Sequence, residues 1–422
     1  MTSEVALLNK TCVALAADSA TTVTYWEGGT QVRRYFKGAN KIFNLSVSNP
    51  VGLMTFASAS LQGVPWEVIV KAYRDQAGPK KHDELPDYAT DFFAYVSKNS
   101  TMFPPATQER QFMTLADRAA AAIVSPILNN AEFKAAPNAA SQTQVFHPLL
   151  WREIERVEKA SFVPGANQQD ADAATARLSS EVQAMLEADR WYADVPRIAF
   201  IHLAPAAILG VYKSVVTSLQ STGLAFAGYG EKDYFPRMEV HRVSGMVLGK
   251  LLCEKESEVR VDHENTSDLV PLAMTEMIGT FIWGISDSGL MQIDREFRTQ
   301  AKVLIEGLKD DGHIDPALDV AKQIKDAAHN HVSALVEYFG DSHQAPLRRV
   351  IANLAFSELA ELAETMVFME SMKERVTSPA QSVSGPIDVA IISKGDGFIW
   401  IKRKHYFVPE LNPRFFQRHQ NS

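Results

Sequence analysis

Met1-Thr2-Ser3-Glu4-Val5-Ala6-Leu7-Leu8-Asn9-Lys10-Thr11-Cys12-Val13-Ala14-Leu15-Ala16-Ala17-Asp18-Ser19-Ala20 opens the chain with two short β-prone runs, Val5 to Leu8 and Cys12 to Ala16, with Asn9-Lys10 between them. A polar turn near Asp18 follows, then the β-prone Thr22-Val23-Thr24-Tyr25 and a Gly28-Gly29 turn. Lys41 to Leu45 and Val51 to Phe56 predict two further strands joined by Ser48-Asn49-Pro50. This is a hairpin-rich sheet, not a βαβ start. Directly behind Met1 stands Thr2. If the methionine is trimmed, one small residue carries both a hydroxyl nucleophile and a free α-amine that can act as its base.

Outward from this sheet the character changes at Pro65-Trp66-Glu67, where proline and glutamate suit a first helical turn and Val68, Ile69, Val70 and Tyr73 supply an apolar face. Helices are expected near residues 86 to 97, 107 to 128, 147 to 161, 171 to 190 and 204 to 220. Sheet signals return at 223 to 230, at 238 to 248 and near 259 to 261, and the Gly228-Tyr229-Gly230 tripeptide reads as close backbone packing or a bend, not a nucleotide loop. Helices are expected again around 267 to 282, 295 to 308, 316 to 339 and 348 to 370. The end returns to strand, with Ile387 to Ile392 and Phe398 to Ile401 flanking the turn Ser393-Lys394-Gly395-Asp396-Gly397. Blocks of sheet and helix in this order predict an antiparallel α+β sandwich, since a doubly wound parallel sheet needs a crossover helix between successive strands.

The 422 residues, 46% hydrophobic, suffice for a large core and are read as one elaborated domain over 2–422. With 42 basic against 50 acidic residues, a formal charge of −8 and no long basic stripe, nucleic acid is not an expected partner. Two cysteines, Cys12 and Cys253, cannot build a disulfide framework, and Cys12 in its apolar run reads as a buried hydrophobe. No basic segment with a hydrophobic signal core and no apolar run of bilayer-crossing length is evident, so a soluble, cytoplasmic protein that does not engage membranes is expected. His263 beside Asp262 and Glu264, and His329-Asn330-His331, do not supply a closed metal-ligand pattern, and no cofactor is required. The run Lys402-Arg403-Lys404-His405 reads as a solvated edge.

Thr2, the segment Val13 to Ala20, the lysine of Asn40-Lys41-Ile42-Phe43 and the following Thr55-Phe56-Ala57-Ser58 resemble the opening of a proteasome β-type subunit or its bacterial peptidase relatives. The closing Ser384-Gly385-Pro386-Ile387-Asp388-Val389 resembles the corresponding family end. The family belongs to the N-terminal nucleophile hydrolases, and the resemblance implies their four-layer αββα sandwich, here with a large helical insertion at 79–200. It implies Thr2 as nucleophile, Asp18 as its charged orienting partner and Lys41 as the cation tuning the site. The backbone amide near Ser58 takes the oxyanion-hole position and Ser384 matches a supporting serine. The family's aspartate three positions before that serine is Gln381 here, and its second supporting serine has no assigned match.

These parts make one mechanism: Thr2 Oγ attacks an amide carbonyl, the α-amine takes the proton, backbone donors near Ser58 stabilise the oxyanion, and water hydrolyses the ester. Singly, each residue has a plainer reading: Thr2 as a permissive residue after methionine, Asp18 as an Asx turn, Lys41 as an edge charge, Ser58 as a packing residue, Ser384 as loop. The constellation carries the expectation of a threonine-type peptidase acting on peptide or unfolded-protein substrates. The family further implies a homo-oligomer, as in a ring, and any ATP-driven unfolding must come from a separate ATPase or cap, because the chain lacks a phosphate loop. The alternatives are a catalytically inactive assembly or partner-binding protein of the same fold, favoured by Gln381, and a hydrolase of small amides.

Overall fold

The computed structural model describes residues 3–27, 30–213, 221–273, 276–310, 319–377, 385–405 and 407–414. The chain begins with β1 (Ser3–Asn9), β2 (Cys12–Ala17), β3 (Thr21–Glu27), β4 (Thr30–Phe36), β5 (Ile42–Asn44), β6 (Val51–Ala57) and the two-residue strands β7 (Ser60–Leu61) and β8 (Val64–Pro65). Helices follow: α1 (Trp66–Ala77), α2 (Leu85–Lys98), α3 (Pro105–Leu128), α4 (Ala131–Ala135), α5 (Ala139–Lys159), α6 (Gln168–Ala188) and α7 (Phe200–Tyr212). Then come β9 (Thr222–Gly228), β10 (Arg237–Val247), β11 (Lys250–Arg260) and β12 (Ser267–Ala273). A second helical block, α8 (Glu276–Trp283), α9 (Asp287–Asp310), α10 (Val320–Phe339), α11 (Ala345–Ile351) and α12 (Phe356–Thr377), leads to the closing hairpin β13 (Asp388–Ser393) and β14 (Gly397–Lys402). The expected Gly28-Gly29 turn lies outside the described residues, but β3 and β4 pair on either side of it with Glu27 opposite Thr30.

Two antiparallel sheets organise the molecule, one in the order β12-β1-β2-β13-β14 and the other β11-β10-β9-β6-β5. Alternation along the strands decides what each face touches. In β1 and β2, Ala6, Leu8, Val13 and Leu15 meet Met54, Phe56, Ala225 and Ala227 of the other sheet. The opposite set, Val5, Leu7, Cys12, Ala14 and Ala16, meets Ile278 and Ile282 of α8 and Leu359, Ala363 and Val367 of α12. Beyond the second sheet, Val51, Leu53, Leu224 and Phe226 pack against Trp66, Ile69 and Tyr73 of α1 and Leu85, Tyr88 and Phe92 of α2. β1 and β2 are therefore buried on both faces, which is why they read as near-continuous apolar runs.

Within the 79–200 stretch, α2 belongs to the sheet-covering layer, whereas α3 to α6 join α7 around a core of their own, including Phe112, Ile123, Phe146, Leu178 and Leu203. That core reaches the β10–β11 hairpin through Val247 and Leu252.

Four expectations are corrected. The helix expected over 204–220 ends at Tyr212, where Lys213 is extended, and 214–220 lie outside the described residues. Residues 267–273, expected as the start of a helix, form the edge strand β12 against β1, with Pro271 opposite Val5. An edge strand tolerates a residue without an N–H, so proline is permitted where a central strand would reject it. The expected helix over 348–370 is interrupted between α11 and α12. Asn9 causes no break by itself but anchors it: its Nδ2 donates to the carbonyls of Ile351 at 3.1 Å and Leu354 at 3.0 Å, while its Oδ1 accepts from the Thr11 and Cys12 amides. Finally, β11 spans Lys250–Arg260, far beyond the expected run near 259 to 261. Its Glu254, Lys255, Glu256 and Glu258 hide the strand period but suit an exposed edge that must not recruit another chain.

The Gly228 bend behaves as its sequence reads: its φ is +137°, and a Cβ there would lie 2.0 Å from the Pro50 carbonyl oxygen. Gly223 of β9 lies opposite Phe56 of β6, and a Cβ there would meet that ring at 2.0 Å. Gly223→Ala is expected to lower the unfolding free energy by about 1–3 kcal/mol through this overpacking. Urea denaturation checks it; an unchanged midpoint would mean that the ring moves aside without cost.

Candidate functional site

Asp18 follows the last residue of β2 and is buried, and its backbone N–H donates to the Ser3 carbonyl at 3.1 Å. Its side chain returns the bond: the Ser3 amide, through which residue 2 joins the chain, donates to Asp18 Oδ1 at 3.0 Å. Oδ2 accepts from the Ala20 amide at 3.0 Å, an Asx-type contact that turns the chain out of the sheet. The plain reading of Asp18 as a turn former is thus correct as far as it goes.

Lys41 supplies what a turn former does not need. It immediately precedes β5, its carbonyl accepts from Thr55 N at 2.9 Å, and its Nζ donates to Asp18 Oδ1 at 2.5 Å. Glu4 Oε1 lies 3.9 Å from the same Nζ. The side chains of Asp18 and Glu4 are fully buried and that of Lys41 is 9% exposed, so the ammonium exchanges most of its water for two carboxylates. A charge removed from water in this way must be paired, and the pairing fixes its position.

Lys41 forms one wall of a cleft of about 280 Å³, together with Ala20 and Thr22, Asn40, the segment Thr55 to Ala59, and Trp66 and Glu67. At the end of β6 Ala57 takes φ +68°, a left-handed conformation that costs a non-glycine residue energy and turns the following backbone across the cleft. Ser58 follows. Its hydroxyl donates to the Ser60 carbonyl at 3.0 Å, and its own carbonyl accepts from Thr222 Oγ1 at 3.2 Å. Thr222 Oγ1 in turn accepts from Trp66 Nε1 at 3.0 Å, so the first residues of α1 and β9 hold the cleft wall in place.

Of the expected site residues, Asp18 and Lys41 are in contact and Ser58 lines the same cleft as Lys41. Thr2, Ser384 and Gln381 lie outside the described residues. The segment after Ser384 does arrive here: Ser19 Oγ donates to the Pro386 carbonyl at 2.5 Å, and β13 pairs Asp388 with Ala17. Glu4, Ala57, Thr222 and Trp66 were not singled out. A buried glutamate in an otherwise apolar strand was the one local signal among them.

Other polar groupings are less suited to chemistry. A larger cavity, about 530 Å³, lies between α1 and α2, where Asp91 is occupied by Tyr73 Oη at 2.9 Å and Lys80 Nζ at 2.6 Å. Burial, reinforced by Asp91, pushes the Tyr73 phenol up, so it serves as a donor. On β10 and β11, Cys253, His241 and Glu239 follow one another in the order of a nucleophile, base and acid. Their Sγ···Nδ1 separation is 4.0 Å and the Nε2···Oε2 separation 3.0 Å. Burial pushes the Cys253 thiol up to about 12 and the Cys12 thiol up to about 11, which leaves both protonated. Asp262 accepts the amides of Glu264 and Asn265, so the segment around His263 is a turn. Among the described residues no group of three or more His, Cys, Asp or Glu side chains is arranged to hold a metal, and no helix is long and apolar enough to cross a membrane.

No family model and no curated protein matches the chain.

Two outcomes follow from this geometry. Asp18→Ala removes the 2.5 Å partner of the Lys41 ammonium while Glu4 stays at 3.9 Å, and is expected to cost about 3 kcal/mol, the lower end for breaking a buried pair. The variant Asp18→Ala/Lys41→Met/Glu4→Gln, which removes the second buried carboxylate together with the cation, should be more stable than Asp18→Ala alone in urea denaturation. Iodoacetamide at pH 8 should leave Cys12 and Cys253 unmodified in the folded protein and alkylate both after unfolding; rapid native labelling of Cys253 would show that its thiolate is accessible.

Proposed function

We propose that the chain is an N-terminal threonine amidohydrolase, a proteasome-like peptidase with the four-layer αββα sandwich of the N-terminal nucleophile hydrolases. The observation that supports this reading is the Asp18 carboxylate held at once by the Ser3 amide and Lys41 Nζ. It ties the attachment point of residue 2 to a buried cation on the wall of a cleft.

In this reading Met1 is removed and the freed α-amine of Thr2 is the base. An α-amine titrates near pH 8, so a useful fraction is neutral near pH 7. Thr2 Oγ attacks the substrate carbonyl and its proton passes to the amine, directly or through water. Backbone N–H groups at the Ala57–Ser58 turn stabilise the tetrahedral oxyanion. Collapse expels the leaving amine with that proton and leaves an acyl ester on Thr2, which water hydrolyses. Asp18 prevents Lys41 from drifting, and Ser384 supports the terminal amine. Peptide or unfolded-protein substrates, assembly into a homo-oligomeric ring and service by a separate ATPase or cap belong to the same reading.

A second reading, hydrolysis of small amides, is favoured by the cleft volume of about 280 Å³, near the lower limit of ligand pockets. Both enzyme readings require Thr2. Peptide-level mass spectrometry after treatment with a threonine-reactive β-lactone is expected to yield a Met1-less N-terminal peptide with one acyl adduct, absent from Thr2→Ala. The same variant should lose hydrolysis by ~10³-fold or more while folding normally. Full activity in Thr2→Ala, or retained Met1 without an adduct, would overturn the proposal.

A further inference from the structure

The cleft does not end at Asn40 and Glu67. Both residues also line an adjoining recess of about 40 Å³ bounded by β5, α1 and the end of β14. Its charged lining consists of Glu67 and three cations, Lys71, Arg74 and Arg403. Glu67, Lys71 and Arg74 share one face of α1, being four and three residues apart. Arg403 comes from the basic run that follows the last strand. Within that run Lys402 pairs with Glu364 and Lys404 with Asp388, whereas Arg403 lies over the Trp400 ring, 4.7 Å from its centroid.

The carboxylates nearby are already committed. Glu67 accepts from Asn40 Nδ2 at 3.0 Å and Lys71 Nζ at 2.5 Å. Burial opposes its ionisation most, but the hydrogen bonds from Lys71 and Asn40, together with the charges of Lys71 and Arg403, hold the carboxyl below its ordinary value. Asp388 accepts the Lys404 amide at 2.8 Å as well as its ammonium. Among the described residues Arg74 has only a long contact, 4.0 Å, to the exposed Asp75. For Arg403, burial pushes its guanidinium below the usual arginine range; the Asp388 carboxylate opposes this more than the neighbouring Arg74 charge adds to it, and Glu67 opposes it further. Two guanidiniums thus converge on one recess while the adjacent carboxylates are bonded elsewhere. An anion between them would relieve their mutual repulsion.

We propose that this recess is a carboxylate-binding subsite of the cleft, with Arg74 and Arg403 as specificity-determining residues that favour acidic peptides; this substrate preference rests on the peptidase reading above. A guanidinium presents paired N–H donors that match a carboxylate in two parallel hydrogen bonds, and stacking on an indole leaves those edge donors available. A water needs ~10–15 Å³, so about 40 Å³ has room for a three-atom carboxylate group. The carboxylate is either an acidic side chain or the peptide's own C-terminus.

Binding in the full-length Thr2→Ala chain, which cannot turn over, separates these sources. Dye-labelled peptides differing only in Glu against Gln, each with a free or amidated C-terminus, are titrated by fluorescence anisotropy. Peptides with the recognised carboxylate are expected to bind about tenfold tighter, and the preference should vanish in Arg403→Ala and in Arg74→Gln while Arg403→Lys keeps part of it. Preference retained in the amidated Glu peptide assigns the side chain; preference confined to free C-termini assigns the terminal carboxylate. Urea denaturation of each variant identifies misfolding, and Arg74→Gln and Arg403→Ala are independent replacements on different elements. Equal affinity for charged and uncharged peptides, no binding of either, or a preference unchanged in both arginine variants would overturn the subsite. Selective binding without a Thr2 lactone adduct would overturn the peptidase reading and leave the anion site standing; an adduct without selective binding would do the reverse.

Discussion

The Asp18 carboxylate joins parts of the chain that share no local structure: the Ser3 amide at the start of β1, the Ala20 amide beyond β2, and the ammonium of Lys41. Asp18 belongs to one sheet's central hairpin and Lys41 leads into β5, the edge strand of the other sheet. The bond therefore crosses between the two sheets where their faces separate. Apolar contacts such as Leu15 against Met54 bring the sheets together, but they are non-directional and tolerate small shifts. A buried carboxylate and ammonium tolerate far less, because neither can recover water if the contact opens. Geometry at the cleft follows from this demand.

The same requirement for satisfied polar groups shapes the boundaries of the elements. Asn9 sits where β1 turns into β2, and its single amide serves the turn on one side and, on the other, the carbonyls of Ile351 at the end of α11 and Leu354 beyond it. The Trp66 indole, Thr222 and the Ser58 carbonyl form a comparable chain on the far side of the cleft. Both sets tie the end of a helix to the end of a strand. On the cleft side, the Trp66–Thr222–Ser58 chain of hydrogen bonds holds the wall in place even where it runs through loop.

Charge is distributed unequally along the cleft. At the Lys41 end two carboxylates surround one cation, whereas at the Arg403 end three cations face one carboxylate. Asn40 and Glu67 stand between these regions and line both. Lys41 is held by burial and a short hydrogen bond, Glu67 by two hydrogen bonds, and Arg403 lies over the Trp400 ring.

Short β-prone runs bounded by turn residues made β1, β2, β6, β9 and the closing hairpin legible without coordinates, because those signals lie within a few residues of what they specify. The residue set Asp18, Lys41 and Ser58 was legible through its resemblance to a family, although each had an ordinary explanation alone. The charged edge strand β11, the proline-bearing edge strand β12 and the interruption between α11 and α12 were not, since edge status and carbonyl satisfaction depend on neighbours distant in sequence. Nor could the sequence reveal that Glu4 joins Lys41, or that Arg403 and Arg74 converge from opposite ends of the chain. By itself the sequence determined the local alternation of sheet and helix and put Asp18, Lys41 and Ser58 forward as candidates. Only the tertiary structure decided which charges were paired and which cations shared a recess, because desolvation and Coulomb interactions act through space without regard to order along the chain.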